Sequence, residues 1–389
     1  MLYRAKIQQG MSESSSSDEP VPSESAARMG KRTYRQGVST LPLATRGLIA
    51  ILVLLVVMSA LTASVAALVD APFTLWFSDT PLLLAAVGVL LLLASLPWDA
   101  TLIALGLNAA LYARTTRGES RSPLALWRRS GFFTAAPVGT LVIVLVSAYA
   151  ILQTSNITLI ALTMLNRGIT HWRDATLWRI EAPLFAFLER MPLHVAFFDG
   201  LYHMSWFVLI AVCCTFVIRE RNVRLLLHFC LGMIITFYIG RLAGSFDPVM
   251  GPAFFKPERF RYVSDSATGL MMRSIATTMA LPPKDAALSG ILVGGVAAMP
   301  SLHLALVTVT TFWLAKLRRR TLLASLPWVA LIWLATLAVG WHYALDGVGG
   351  IALALLCVPL TKWYARRFRL DDTEARSTVQ GSTLRTTSA

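Results

Sequence analysis

The stretch MPSLHLALVTV, residues 299–309, changes character within a few positions: Pro300, Ser301 and His303 give way to an apolar run that lasts to residue 317. Pro and Ser suit the opening of a helix, so the pattern predicts a helix that enters a nonpolar medium with a histidine at its mouth. A second stretch, GWHYALDGVGG at 340–350, repeats the arrangement: His342 and Asp346 precede apolar residues that continue to 365. The chain holds six histidines in 389 residues, of which 56% are hydrophobic and 14% charged, and its mean hydropathy is +0.61. That composition fits helices crossing a bilayer and excludes a set of soluble domains.

About 20 apolar residues are needed to cross roughly 30 Å of hydrocarbon. On that measure the chain reads as an all-α polytopic membrane bundle with about eight transmembrane helices, at 47–69, 82–113, 132–153, 201–218, 225–245, 302–317, 322–341 and 348–365. The second run is too long for one straight helix, and LPWDAT, with Pro97 and Asp99, marks a kink or the tip of two short helices. The formal charge of +14 suggests nucleic acid at first sight. The bases instead stand in short clusters between apolar runs, as in cytoplasmic loops of membrane proteins, and no nucleic-acid partner is expected.

With the basic N-terminal collar inside, RERNVR at 219–224, KLRRR at 316–320 and RRFR at 366–369 also fall inside. Both termini are then cytoplasmic, and His303, His342 and Asp346 reach the outer face together. Residues 1–46 read as a disordered polar tail, 47–131 as two additional spans, 132–365 as a six-span core and 366–389 as a second cytoplasmic tail. A cleavable leader would carry its apolar region nearer the start, so the first run is expected to be retained, as in a bacterial inner membrane protein.

The stretches 154–200 and 246–300 are expected outside. The first contains an interfacial amphipathic helix, with Trp172, Leu177, Trp178, Leu184, Phe185 and Leu188 on one face, Arg173, Arg179 and Glu181 on the other, and a break at Pro183. A packed lid without a ligand is the alternative. Asn156 opens the glycosylation sequon NIT. Cys213, Cys214, Cys230 and Cys357 lie within spans and read as small hydrophobes, with neither a disulfide framework nor a zinc site.

His342 and Asp346 stand at i and i+4, so they share a face if their helix begins near His342. A carboxylate on one imidazole nitrogen fixes the tautomer and leaves the other as base or nucleophile. A second histidine, His303, can protonate a leaving oxygen, which completes a set for metal-independent phosphoryl transfer. Two histidines and a carboxylate also form a metal-binding triad type; no further acid cluster accompanies them, and no metal or other cofactor is expected. Phosphate requires positive charge, for which Arg241, Lys256, Arg259, Arg261 and Arg273 are available. Arg241 stands out because an unpaired guanidinium at a span end is costly. Ser301 offers either a hydroxyl to the phosphate or a helix cap, and His203 is a further candidate for substrate contact.

The paired PSLH and HYALD motifs, with a span, a short basic turn and another span between them, resemble the type 2 phosphatidic acid phosphatase superfamily, particularly its branch related to inositol phosphorylceramide synthases. The resemblance implies a six-helix core with His342 as nucleophile, Asp346 orienting it and His303 protonating the departing alcohol. It further implies a membrane lipid phosphate, or a phospholipid or sphingolipid headgroup donor, as substrate, with a lipid alcohol as an acceptor where transfer replaces hydrolysis. Two departures stand out: Ala335 and Thr336 replace the usual Ser-Arg before the nucleophile, and GRLAGSFDPVMGP lacks the usual Lys and Arg-Pro. DPVMGP looks instead like the PxxGP stretch of the synthase-like branch. A non-catalytic lipid transporter, flippase or receptor on the same fold is the alternative function.

Overall fold

In hydrocarbon every backbone amide and carbonyl must find its partner within the segment, which leaves the helix as the economical answer for apolar runs of this length. The computed structural model describes residues 41–78, 80–95, 135–191, 194–220, 222–288 and 298–371. Among these residues there are helices α1 (Leu43–Leu68), α2 (Thr80–Ser95), α3 (Ala135–Gln153), α4 (Ser155–Asn166), α5 (Asp174–Leu188), α6 (Val195–Arg219), α7 (Val223–Phe246), α8 (Pro252–Phe255), α9 (Ala267–Met279), α10 (Pro283–Leu288), α11 (Leu302–Leu317), α12 (Leu322–Ala338) and α13 (Ala344–Arg367), and no strand. Among the described residues, six segments are long and apolar enough to cross a membrane: 43–68, 139–166, 195–218, 223–246, 319–338 and 344–367. The chain is therefore an all-α helical membrane bundle. The helices α2 and α11 are apolar but shorter; α11, with 16 residues, spans about 24 Å at 1.5 Å per residue. The expected kink at LPWDAT lies outside the described residues.

Outward-facing Val56, Leu61, Leu323, Leu355 and Leu356 are well exposed, a girdle suited to lipid tails. Within the spans, buried hydroxyls donate to the carbonyl one turn back: Ser147 to Ile143 at 2.6 Å, Thr310 to Leu306 at 2.7 Å and Thr361 to Cys357 at 2.7 Å. Each polar group is thereby satisfied on its own helix.

The described structure differs from the sequence expectation at 154–166. Thr154 keeps helical angles, φ −65° and ψ −14°, and α3 runs on into α4. The polar residues at 153–156 are buried instead, and Gln153 and Asn156 are paired. Gln153 Nε2 donates to the Leu75 carbonyl at 3.0 Å, and the Asn156 amide both accepts from Thr74 N and donates to Thr74 O, each at 2.9 Å. Asn156 is 0% exposed, so its sequon is committed to holding the 71–78 loop and is closed to a glycan.

At the centre, α11 packs on α13, α7, α6 and α12, with Leu304, Leu306, Val307, Val309 and Trp313 joining Leu227, Leu231 and Ile234 in one core. Lipid is as apolar as leucine, so such association rests on close fit and hydrogen bonds more than on escape from water. The two helices fit closely at Gly350, where a Cβ would overlap the Ser301 carbonyl oxygen and lie 3.2 Å from Ala305 N. Beside it, Ser301 N donates to the Asp346 carbonyl at 2.8 Å. The mouths of α11 and α13 are thus joined backbone to backbone.

Gly350→Ala cannot be absorbed by a side-chain rotation, because the obstructing atoms are main chain. The two helix mouths must separate. Chemistry that needs groups from both is expected to slow by about 10²-fold, the usual cost of roughly 1 Å of misplacement. Turnover measured beside the thermal midpoint checks this, and unchanged turnover in the folded variant would contradict the packing described.

Candidate active site

His342 lies in the tight connection between α12 and α13, where the amides of Trp341 and His342 both point at the Thr336 carbonyl, at 3.1 and 3.4 Å. The helix begins at Ala344, two residues after His342, so the pair does not meet along a helix face as the i, i+4 spacing suggested. Asp346 folds back instead: its Oδ2 accepts from Tyr343 N at 2.8 Å, a reach-back from the first turn to the residue before the helix. The same oxygen sits 3.6 Å from His342 Nδ1. Asp346 is 0% and His342 6% exposed. Asp346 Oδ1 and His342 Nδ1 have no hydrogen-bond partner among the described residues. The carboxylate and the imidazole thus each keep an unused hydrogen-bonding atom within a buried contact of 3.6 Å, close enough for a bond to form on a small rotation.

His303 comes from the first turn of α11. Ser301 caps that turn, its Oγ accepting from Leu304 N at 3.4 Å, and is itself fully buried. The hydroxyl offered to a phosphate is therefore engaged in the framework. His303 Nδ1 lies 3.5 Å from His342 Nε2, with ring centroids 5.6 Å apart and planes at 63°. Its Nδ1 also lies 3.5 Å from the hydroxyl of Tyr202, on α6, whose ring sits 4.4 Å from the imidazole. Tyr202 stacks on Trp341 at 5.6 Å. Trp341 Nε1 donates to Thr268 Oγ1 at 3.3 Å, and His203 Nε2 reaches that same oxygen at 3.1 Å. His203 thus approaches the site through Thr268, the second residue of α9.

Tyr202, Trp341 and Thr268 were not singled out from the sequence. A tyrosine at a span end reads as an interfacial anchor, and nothing local marks a threonine in a loop helix for contact with a distant tryptophan. Trp341, adjoining His342, had the strongest signal.

The segment 154–200 also departs from expectation. Pro183 lies inside a continuous α5, losing one internal hydrogen bond without ending the helix. Glu181 is not on a solvated face. The buried positions of α5 are Asp174, Leu177, Glu181, Phe185 and Leu188, a regular i, i+3, i+4 stripe with a carboxylate in its middle. Glu181 Oε2 accepts from Ala344 N at 2.6 Å and its Oε1 from Leu345 N at 2.8 Å. One end of the stripe is Asp174, whose two oxygens accept from Met250 N and Gly251 N, each at 2.9 Å. Burial raises both carboxyls above the usual carboxylate range, the backbone amides pull the other way, and for Glu181 the nearby Asp346 adds to the rise.

The five candidate cations are dispersed. Arg241, on α7 and 7% exposed, donates through Nη1 to Thr158 Oγ1 on α4 at 2.5 Å. Arg259 pairs with Glu189 at 2.8 Å, Arg273 bonds the Ser264 carbonyl at 2.6 Å, and Lys256 lies 5.1 Å over the Phe255 ring. Arg261 is exposed. Gly240, the neighbour of Arg241, packs against Leu302, the residue before His303.

Among the described residues no group of three or more His, Cys, Asp or Glu side chains is placed to hold a metal ion. Two imidazoles with a carboxylate behind one of them suit proton movement and nucleophilic attack. No curated protein and no solved structure matches the chain. Residues 167–360, which carry His303, His342 and Asp346, match the model of the PAP2 superfamily.

Proposed function

We propose that the chain is an integral membrane phosphatase or phosphotransferase acting on lipid phosphates through a phosphohistidine at the extracytoplasmic face. The observation that carries this reading is the meeting of His303 and His342 at 3.5 Å, with Asp346 buried behind His342. His303, 39 positions from His342 in sequence, meets the His342–Asp346 pair where a reacting phosphorus needs a nucleophile, an orienting anion and an acid.

His342 Nε2 attacks phosphorus as the ester P–O bond breaks. The departing alkoxide oxygen keeps the bonding pair and takes a proton from His303. Asp346 accepts from Nδ1 and stabilises the positive charge that the ring gains. Water, or a lipid alcohol, then gives its proton to His303 and attacks the phosphohistidine, which restores both rings. The superfamily match and the membrane setting support a lipid phosphate or headgroup donor as the substrate class. Arg241 contributes fixed positive charge from the flank, since phosphoryl transfer rests largely on positioning and electrostatics. At 3.5 Å the two imidazoles leave no space for a phosphoryl group, so His303 turns aside on binding. The Tyr202 hydroxyl, equally close to its Nδ1, is the partner that receives it.

The assignment of side rests on charge. Arg318, Arg319 and Arg320 follow the far end of α11, and Arg366 and Arg367 close the far end of α13. A positive cytoplasmic side puts the histidines at the opposite, outer surface. Purified protein assayed with chelator on a panel of phosphatidate, glycerophospholipids and phosphosphingolipids is expected to release phosphate or exchange headgroups. Turnover only after a divalent cation is added, or none on any lipid, would contradict the proposal.

A further inference from the structure

The N-terminus of α13 is closed by another part of the chain. A helix start leaves its first amides without internal partners. Here Glu181 takes the amides of Ala344 and Leu345, one on each carboxylate oxygen, while Asp346 takes that of Tyr343. Glu181 is 6% exposed and comes from α5, more than a hundred and fifty positions away in sequence. A negative group at this end also suits the helix dipole.

The same helix holds the other wall. Asp174 fixes the amides of Met250 and Gly251 and accepts from the Tyr343 hydroxyl at 3.3 Å. Gly251, at φ +115°, lies so close to Trp341 that a Cβ would overlap its carbonyl oxygen. Ala253 N donates to the Gly340 carbonyl at 3.0 Å, and Phe185 of α5 packs edge-on against Tyr343 at 6.0 Å. Residues 340–345 are therefore held between α5 and the 250–253 turn, with His342 in their middle.

We propose that Glu181 is a positioning residue: by capping α13 from outside the helix it sets the angle at which Asp346 and His342 meet. Its carboxylate touches no reacting atom. It acts through the backbone of Ala344 and Leu345, whose displacement moves the His342–Asp346 contact. The inference rests on the proposed reaction for its kinetic consequence, and on geometry alone for its structural one.

The test pairs turnover with amide exchange in full-length protein. In Glu181→Ala, exchange of peptides covering 340–350 is expected to rise at least about tenfold. Turnover number should fall about 30-fold or more with KM within about threefold, because positioning changes the chemical step more than binding. Formate, small enough for the vacated space, should restore part of the turnover. Glu181→Gln keeps one carbonyl acceptor and is expected to lose only about five- to tenfold; if the alanine variant does not fold, Glu181→Gln and Glu181→Asp carry the same readouts. Unchanged exchange overturns the proposal whatever the activity does, as does lost turnover that formate does not restore. If the wild-type chain turns over no lipid phosphate, the exchange result still decides the role of Glu181, and the failure belongs to the reaction proposed above.

Discussion

His342→Ala is expected to lower lipid-phosphate turnover by about 10⁴-fold or more, with substrate affinity little changed. Removing a nucleophile that forms a covalent intermediate removes the route and not merely a contact. The residue is 6% exposed, so a structural cost accompanies the substitution. His342→Gln retains polarity and approximate volume, which makes it the better control for folding. Asp346, 3.6 Å from His342 Nδ1, is fully buried. Taking away the imidazole leaves that carboxylate facing a void, and a modest loss of thermal stability should accompany the loss of activity. Turnover by either folded variant within about tenfold of wild type would remove His342 from the mechanism.

His303→Ala is expected to cost about 10²- to 10⁴-fold, the range for a general acid, and the loss should depend on the leaving group. An alkoxide requires a proton as the P–O bond breaks, whereas a nitrophenolate leaves without one. The variant should therefore approach wild-type rate in the first step on a nitrophenyl phosphodiester, yet remain slow on a natural lipid. The second step, in which His303 accepts a proton from water or alcohol, should then limit turnover, giving a burst of nitrophenol followed by a slow phase. A loss of equal size for both leaving groups would show that His303 shapes the site without moving a proton.

How much of this was legible without coordinates differs from one residue to the next. The histidines at 303 and 342 stand out because polar groups at the mouths of apolar runs are conspicuous, and their placement at one end of the bundle follows from counting helices between basic turns. Their meeting was not legible. It depends on Gly350 allowing α13 to lie against the Ser301 carbonyl, a contact between main chains that no side-chain pattern announces. The nearness of Asp346 to His342 has a different cause from the one its spacing suggests: i, i+4 implies a shared helix face, but the helix starts after His342, and the carboxylate reaches back through a cap.

Glu181 is the instructive miss. Leu177, Glu181, Phe185 and Leu188 have the spacing of one buried stripe, yet a charged residue is readily assigned to the wet side of an amphipathic helix. An acid in register with an apolar stripe signals a buried donor in search of it, and the donors here belong to the backbone of α13. Asn156 was misread for a related reason: polar residues at 153–156 mark the end of a span in the sequence, whereas Gln153 and Asn156 bind the backbone of the 71–78 loop from inside the bundle. Tyr202 could not be separated by its surroundings in sequence from tyrosines that merely anchor in headgroups.

Quenching His303→Ala protein during turnover of a nitrophenyl phosphodiester and locating the trapped phosphoryl group by peptide mapping tests directly whether His342 is the nucleophile. An acid-labile, base-stable phosphoryl modification is expected on His342, approaching one per chain and absent from the His342→Gln protein. Modification of another residue, or a burst of nitrophenol with no covalent phosphorus on the chain, would contradict that role.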